Sequence, residues 1–445
     1  MSPRAAKSKP GLPELLRAGR IDEFVRRALE LEPADLADVL SSLDEDERLT
    51  AVRALPPEVP GEALIEMPEE EHAEDTLAAL DPEQAADIVD ELADDDAADI
   101  LQELEPEEQE RILSEVEDRS DVDRLLAYDE ESAGGLMTTH VVTVFDTVTA
   151  GEAIEEIRRQ AEEMEGFYQV FVVDPANRLV GLLPLNQLVT SPPGRSVREF
   201  MEPAEITVTP DRDQEEVARL MARYNVPSIP VVDGNGVLLG RVTFDDVIDV
   251  VEAETTEDLL QFGGVSASEE LGAPWRGAVR SRLPWLYVNL LTAFAAASVV
   301  LVFSDAIQEL KWLAVFMPVI AGMGGNAGTQ ALAVSVRRIA LGQVPAGSEG
   351  RIVGKEMLVG LVNGFSNALV AGAIGWLAAG PQFGAVVALA MTANLAVAGF
   401  AGAFVPLLLE RLKIDPAIAS SIFVTTFTDM CGFFLLLGLA TRFLV

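Results

Sequence analysis

Polar side chains are scarce in the apolar last third of the chain, and the few present are of types that bind cations. The segment TTFTDMCGFF contains Asp429, the one acidic residue within the five longest apolar stretches. A carboxylate at the centre of a bilayer costs about 2.5 to 3.5 kcal/mol and usually lines an aqueous path or pairs with another group. Asp429 therefore predicts a cation site, with a protonated or helix-bonded aspartic acid as the alternative.

A second polar segment, GMGGNAGTQ, offers neutral oxygen ligands. Asn326, Thr329 and Gln330 supply amide and hydroxyl oxygens, and Gly325 permits a close approach of the backbone. Mg²⁺ dehydrates reluctantly and keeps several waters, so amide oxygens with one carboxylate per chain suit it better than a tight cage. Helix packing alone would explain the glycines, but not three polar side chains within five residues.

These residues must be positioned by apolar helices long enough to cross a bilayer, which takes about 20 residues. Five such stretches follow one another, at residues 283–303, 313–336, 357–380, 383–409 and 417–445. Their flanking basic residues alternate in number from side to side, which predicts a cytoplasmic N-terminus and an external C-terminus in a multi-pass protein of the cell membrane. With one acid per chain, a two-fold axis through a pore would bring two copies of Asp429 to one ion, so a homodimer is expected.

The first 270 residues have the opposite composition. They hold 66 of the 73 acidic residues and 21 of the 32 basic ones, a formal charge of −45. Such a field repels nucleic acid and attracts cations. Cys431 is the single cysteine, so neither a disulfide framework nor a thiolate metal site can form. The N-terminus lacks an apolar signal-peptide core, which favours a cytoplasmic location for this acidic part.

Residues 31–116 contain an internal repeat of about 12 residues. Its markers are Leu31, Leu43, Leu55, Met67, Leu80, Leu92 and Leu104. Pro or Asp at the third position suits a helix start, and apolar residues at spacings of three and four define one buried face. The pattern predicts short stacked helices in an all-α superhelical domain with an acidic outer surface.

A different repeat occupies residues 137–254, with strand-like and helical segments in alternation. The copies align at a shift of 59 residues, which pairs Asp174 with Asp233, and each predicts the order strand, helix, strand, turn, strand, helix. The second copy contains the G-x-V-T-x-x-D pattern that ends at Thr243 and Asp246. These copies resemble a tandem pair of α/β cystathionine-β-synthase-type (CBS) domains, which often bind adenine nucleotides. Thr243 and Asp246 are the nucleotide candidates that this resemblance implies.

A helical stretch, DVIDVVEAETTEDLLQFGG, leads from the second copy to the first apolar stretch. Its spacing places Asp246, Asp249 and Glu257 on nearly one face. A solvated acidic helix is the ordinary meaning of such a run. Its place directly before the first span instead suggests a helix that presses on a pore.

In this order the parts resemble the MgtE family of magnesium channels over essentially the whole chain, most specifically in GGNAGTQ, TDMCG and DDVIDVVEAETTED. The resemblance implies five parts: a helical N domain (1–130), two CBS domains (131–200 and 201–254), a connecting plug helix (246–270) and a membrane domain (271–445). It also implies a homodimer whose pore is lined by the second and fifth spans, with Asp429 at the ion site.

The resemblance further implies regulatory Mg²⁺ sites between the N domain, the CBS pair and the plug helix. Asp95 and Asp99 would face Asp246, and the remaining candidates are Asp249, Glu254, Glu257, Asp258 and Glu215. Asn225 stands where an acid is expected, so the site that pairs it with Asp249 should be weaker. ATP is implied as a regulatory ligand.

The resulting hypothesis is a Mg²⁺ channel in lipid that cytoplasmic Mg²⁺ closes, without enzymatic activity. Three rivals remain open. An intramembrane aspartyl protease would need two acids in the spans, and only Asp429 is available. A nucleotide sensor would bind nucleotide without ion flux, and a carrier for cobalt or manganese is not distinguished by the sequence.

Overall fold

The computed structural model describes residues 11–68, 71–117, 119–161, 167–266, 275–345, 347–414 and 416–444. Parts of the predicted domains lie outside the described residues: residues 1–10 of the N domain, 267–270 of the plug helix, and 271–274 and 445 of the membrane domain. The chain divides into two compact units, Met1–Glu252 and Ala253–Val445.

The first unit begins with short helices, as the 12-residue repeat predicts. Proline at the first helical position starts α3, α5, α7 and α9, where its missing N–H is not needed. The helices are α1 Leu12–Arg17, α2 Ile21–Ala28, α3 Pro33–Ser41, α4 Glu45–Ala54, α5 Pro60–Ile65, α6 Ala73–Ala78, α7 Pro82–Val89, α8 Asp94–Gln102, α9 Pro106–Leu113 and α10 Ser120–Leu125.

These helices stack on their next-but-one neighbours, so α3, α5, α7 and α9 form one series and α4, α6, α8 and α10 another. The repeat markers follow directly after helix ends and close the core there: Leu43, Leu55, Met67, Leu80 and Leu104 are buried, whereas Leu31 and Leu92 are half-buried. The all-α N domain is thus confirmed. A superhelical winding of the stack stays a prediction.

Two small sheets follow, one in each CBS copy. In the first copy, β1 (Thr143–Phe145) pairs in parallel with β2 (Val170–Val173), and β2 pairs antiparallel with β3 (Leu179–Leu183). In the second copy, β4 (Ser228–Val232) pairs antiparallel with β5 (Leu238–Thr243). The helices are α11 Ala150–Gln160, α12 Leu185–Thr190, α13 Gln214–Tyr224 and α14 Phe244–Phe262.

The predicted first strand of the second copy is wrong as a full strand. Only Val208 pairs there, through a single parallel bridge to Val231. Pro210, two residues later, has no N–H to donate, so the pairing does not extend.

The described part of the second unit is helical. Its helices are α15 Trp275–Val302, α16 Ser304–Glu309, α17 Trp312–Ala340, α18 Glu349–Ala379, α19 Pro381–Arg411 and α20 Pro416–Phe443. In the described residues, α15, α18, α19 and α20 are long and apolar enough to cross a membrane. Helix α17 has the length, but Asn326, Thr329, Gln330 and its glycines make it less apolar.

Candidate functional site

An acidic surface forms in the first unit where the start of α8 meets the start of α14. Asp94, at the start of α8, accepts hydrogen bonds from the Thr138 hydroxyl at 2.6 Å, from the Thr139 N–H at 2.9 Å and from the Thr139 hydroxyl. Thr138 in turn exchanges backbone hydrogen bonds with Arg241 on β5, at 3.0 and 2.9 Å. Because α14 follows β5 directly, this chain of bonds fixes α8 against the first turn of α14.

The carboxylates of this surface repel one another in a partly dehydrated place. We call Asp94, Asp95, Asp96, Asp99, Asp245, Asp246 and Asp249 the acid face. Burial, with the charges of Asp246 and Asp96 next, raises the pKa of Asp95 well above its ordinary range. Burial first, and the neighbouring acids second, raise the pKa of Asp96 to about 6 and that of Asp99 to about 8.

The first turn of α14 supplies the other side of the acid face. Asp246 caps this helix by accepting from the Thr243 hydroxyl at 2.5 Å and from the Thr243 N–H at 3.3 Å. These bonds lower the pKa of Asp246, but burial outweighs them and the net pKa is raised. Burial and then the charge of Glu66 on the turn after α5 raise the pKa of Asp249. Thr243 and Asp246, the nucleotide candidates, therefore bond to each other.

The chemistry of the acid face fits a hydrated divalent cation. Oxygen Oδ1 of Asp95 is buried and has no hydrogen-bond partner in the described part of the chain, so a ligand would satisfy it. Among the described residues, only the exposed turn of His72, Glu74 and Asp75 brings three ligand atoms within 4.8 Å of one another. The carboxylates of the acid face stand farther apart, a spacing that suits Mg²⁺ bound through its own waters.

Sequence reasoning selected four members of the acid face: Asp95, Asp99, Asp246 and Asp249. It missed Asp94, Asp96 and Asp245, although Asp96 lies three residues before Asp99 on the same helix face. It also missed the nearby Glu62, Glu66 and Arg241.

The other regulatory candidates lie elsewhere in the sequence. Glu215 is in the first turn of α13. Glu254, Glu257 and Asp258 lie on the C-terminal half of α14, which belongs to the second unit. Their roles stay predictions.

The backbone conformation at position 225 explains why an asparagine suits this position. Asn225 ends α13 in the left-handed conformation, with φ of 55°, and its N–H bonds Met221 O. Asparagine tolerates that conformation better than most residues with a side chain. It lines an apolar groove of about 300 Å³ together with Phe244 and Ile248. The charges that act most strongly on Asp249 are instead those of Glu66, Glu252 and Asp245.

In the second unit, a buried asparagine that sequence reasoning missed holds three helices together. Asn394 on α19 is fully buried, and its Nδ2 donates to Ile320 O on α17 at 3.0 Å. A Cβ at Gly324 would lie 2.3 Å from that nitrogen, and a Cβ at Gly432 on α20 would lie 2.9 Å from it. The motif TAN gave no signal, because an asparagine in an apolar run has no spacing to mark it.

The glycines of α17 divide into two faces. Gly324 and Gly328 pack against α19 and α20, whereas a Cβ at Gly322 or Gly325 would meet no other atom within 4 Å. Packing therefore accounts for the first pair only.

The predicted pore residues of α17 and its neighbour α20 are not buried in the chain, unlike Ser335 and Thr428 on the same helices. Asn326 and Gln330 are exposed, and Thr329 and Asp429 are half-exposed. Asn326 and Asp429 both lie at the middle of their helices, and α17 packs on α20. Polar oxygens thus remain available at mid-helix on two neighbouring helices.

Another acid lies just before a predicted span. Glu356 on α18 is buried, and its carboxylate pairs with the Lys355 ammonium at 3.0 Å.

Comparison with known proteins agrees with this architecture. Residues 317–439 match the family described as MgtE, divalent cation transporter, residues 31–131 match the MgtE intracellular N domain, and residues 133–192 and 197–253 match CBS domains. The first unit resembles the cytosolic domain of the Mg²⁺ channel MgtE in complex with ATP, at 37% identity and a TM-score of 0.51. That match covers 54% of this chain and 98% of the other.

Two relatives match this chain over 329 and 325 residues, more than the first unit contains, so their similarity extends into the second unit. The magnesium transporter MgtE of Thermus thermophilus is 38% identical over 72% of this chain and 72% of its own. That of Enterococcus faecalis is 35% identical over 73% of this chain and 72% of its own. The chain therefore belongs to the MgtE family of divalent cation transporters.

Proposed function

We propose that the protein conducts Mg²⁺ across the cell membrane through a pore lined by α17 and α20, and that Asp429 and Asn326 contact the hydrated ion. The relatives named above are magnesium transporters, which are not enzymes. The observation on which the proposal rests is the pair of polar residues at the middle of two packed helices, both left uncovered by their own chain. Oxygen ligands of this kind suit Mg²⁺.

The same observation supports a homodimer. A polar side chain exposed to hydrocarbon is costly, so membrane proteins turn such residues toward protein or water. A second copy across a two-fold axis would enclose Asn326, Gln330 and Asp429 in a shared aqueous path. Two copies of Asp429 then provide two negative charges for one divalent ion.

The proposal includes α17 as a membrane span, the second of five in chain order. Its 29 residues extend about 43 Å, more than the hydrocarbon thickness of about 30 Å. A less apolar helix is acceptable in a membrane when its polar face lines water. With five spans, the excess of basic residues before α15 and in the connections α17 to α18 and α19 to α20 places the N-terminus in the cytoplasm.

Gating follows from the acid face. Without Mg²⁺ its carboxylates repel one another, a close pair costing about 4 kcal/mol at 4 Å and an effective dielectric of 20. When cytoplasmic Mg²⁺ rises, the ion neutralises this repulsion and stabilises the arrangement in which α8 and the start of α14 are together. That arrangement closes the pore through α14, a population shift driven by differential binding.

Entry of Mg²⁺ needs no other energy source, because each ion gains about 4.6 kcal/mol per 100 mV of negative-inside potential.

ATP is a second regulatory ligand in this proposal. The relative whose cytosolic domain was solved contains ATP, and the candidates here are Thr243 and Asp246.

Mg²⁺ flux into vesicles tests the pore. We expect the full chain to admit Mg²⁺, and Asp429→Asn to reduce the flux at least about 100-fold, because the charge that attracts the ion is lost. Asp305→Asn, the same change on α16, is the matched control and should conduct normally. Normal flux through inserted Asp429→Asn protein would overturn the pore assignment, and preference for Co²⁺ or Mn²⁺ over Mg²⁺ would overturn the choice of ion.

A further inference from the structure

A basic residue, Arg241 on β5, adjoins the acid face. Arg241 is only 7% exposed. The charges that act on its guanidinium are, from the largest, those of Asp95, Asp245, Asp246 and Asp94. A buried arginine that interacts electrostatically with carboxylates of two different helices acts as their counter-ion.

The backbone holds Arg241 in this place. Strand β5 pairs Arg241 with Pro230 on β4, and on the other side Arg241 exchanges two hydrogen bonds with Thr138. Thr138 is the residue whose hydroxyl bonds Asp94. The backbone of Arg241 is thus joined to α8 through Thr138 and lies just before the start of α14.

Other arginines in the first unit have different surroundings. Arg48 is also buried, but its guanidinium donates to the carbonyls of Leu40 and Glu71 and to the Glu71 carboxylate. Arg198 pairs with the buried Asp146, but its own side chain is 60% exposed. Arg241 alone of these three lies among the residues proposed to bind Mg²⁺.

We infer that Arg241 is a built-in competitor of Mg²⁺ that sets the ion concentration to which the acid face responds. This inference rests on the proposed regulatory role of the acid face. In the ion-free protein the guanidinium offsets part of the repulsion and keeps α8 near α14. When Mg²⁺ binds, the guanidinium repels it, because like charges in a low-dielectric site interact strongly. Affinity is weakened, so only a raised Mg²⁺ concentration saturates the site.

The inference is tested by Mg²⁺ titration calorimetry on the full chain in lipid nanodiscs, after removal of divalent ions with EDTA. We expect Arg241→Met and Arg241→Gln to bind Mg²⁺ about tenfold more tightly than the wild type, and Arg241→Lys to bind within about threefold of it. Arg198→Gln removes the same charge away from the acid face and should leave the affinity unchanged. Equal affinities of Arg241→Met, Arg241→Gln and the wild type would overturn the inference.

Digestion of the N domain by a protease in EDTA gives the second readout. The neutral variants should be cut faster than the wild type without Mg²⁺ and equally slowly with saturating Mg²⁺, because the ion then supplies the lost positive charge. If neither neutral variant folds in EDTA, the inference requires that Mg²⁺ restores cooperative unfolding, and failure to do so contradicts it.

A double variant separates this inference from the proposed function. If Asp95→Asn with Asp246→Asn binds Mg²⁺ as the wild type does, the regulatory role of the acid face is wrong. If that variant loses binding and Arg241→Met leaves the affinity unchanged, only the role of Arg241 is wrong.

Discussion

The acid face of the first unit and the packed centre of α17, α19 and α20 in the second unit differ in the charge of the polar residues that they bury. Around Asn394, a single neutral amide is enclosed by glycines that leave no space for a Cβ. Its Nδ2 donates to Ile320 O, while its Oδ1 has no hydrogen-bond partner among the described residues. In the acid face, several carboxylates of like charge are held together, and Asp95 Oδ1 likewise has no hydrogen-bond partner among the described residues.

This difference separates structural from functional polarity. A neutral buried amide with one good hydrogen bond contributes to a single packing arrangement, whereas buried carboxylates that repel one another cost free energy. Such a cost persists when something outside the chain compensates for it, and for carboxylates a divalent cation is the natural compensation. The comparison therefore predicts that substitutions around Asn394 damage folding, and that substitutions in the acid face alter the response to Mg²⁺.

The largest effect is expected at the packed centre. Gly324→Ala would place a Cβ 2.3 Å from Asn394 Nδ2 and disrupt its bond to Ile320 O. Overpacking and a lost buried hydrogen bond together should lower the free energy of unfolding of the second unit by about 4 kcal/mol. Thermal unfolding followed by tryptophan fluorescence reports on this unit, because all four tryptophans lie in it.

Gly322→Ala is the control on the same helix. A Cβ there meets no atom within 4 Å, and alanine is the better helix former, so stability should stay equal or rise by about 0.5 kcal/mol. Equal stabilities of the two variants would break the comparison, since Asn394 would then not require close packing.

A smaller effect of opposite sign is expected at the acid face. Replacing Asp95 and Asp246 by Asn removes two of its repelling charges, so the first unit should melt higher than the wild type in EDTA. Mg²⁺ at about 100 times its dissociation constant should stabilise the wild type by about 2.7 kcal/mol and the double variant by much less. Glu107→Gln changes an exposed acid on α9 and should keep the full response. Full Mg²⁺ stabilisation of the double variant would show that the ion binds elsewhere.

Much of this architecture is predictable from local patterns. The short helices follow from Pro and Asp at helix starts, and the family follows from GGNAGTQ, TDMCG and the helix after Thr243. Asp246 and Asp249 could be selected because acids recur on one face of their helix, whereas Asp95 and Asp99 were implied by the resemblance to the MgtE family.

The remaining features depend on contacts between distant segments. Asn394 lies 74 residues from Ile320, and Arg241 comes near the acids of α8 only because Thr138 joins β5 to Asp94. No local pattern encodes such contacts. The prediction of a first strand in the second CBS copy was wrong. The apolar pattern there is that of a strand, but Pro210 limits the pairing to Val208.

The smallest effect is a pH dependence that Mg²⁺ should remove. The pKa of Asp96 is raised to about 6 and that of Asp99 to about 8 by burial and by neighbouring acids, which for Asp99 are Asp96, Asp246 and Glu130. Between the ordinary aspartate pKa and about 8, the folded state therefore holds protons that the unfolded chain has lost, so stability falls as pH rises. In EDTA, the melting temperature of the first unit should be about 3 °C lower at pH 8.5 than at pH 5.5, or about 1 kcal/mol.

Two substitutions isolate the contribution of Asp99 from that of the many other acids. Asp99→Asn cannot ionise and should lose part of the slope, whereas Asp87→Asn on the exposed side of α7 should keep all of it. Saturating Mg²⁺ should flatten the wild-type profile, because the ion favours the ionised carboxylates that the bare acid face disfavours. A slope that survives both Asp99→Asn and Mg²⁺ would mean that the buried acids of α8 are not the groups that repel one another, and the contrast with the packed centre around Asn394 would lose its physical basis.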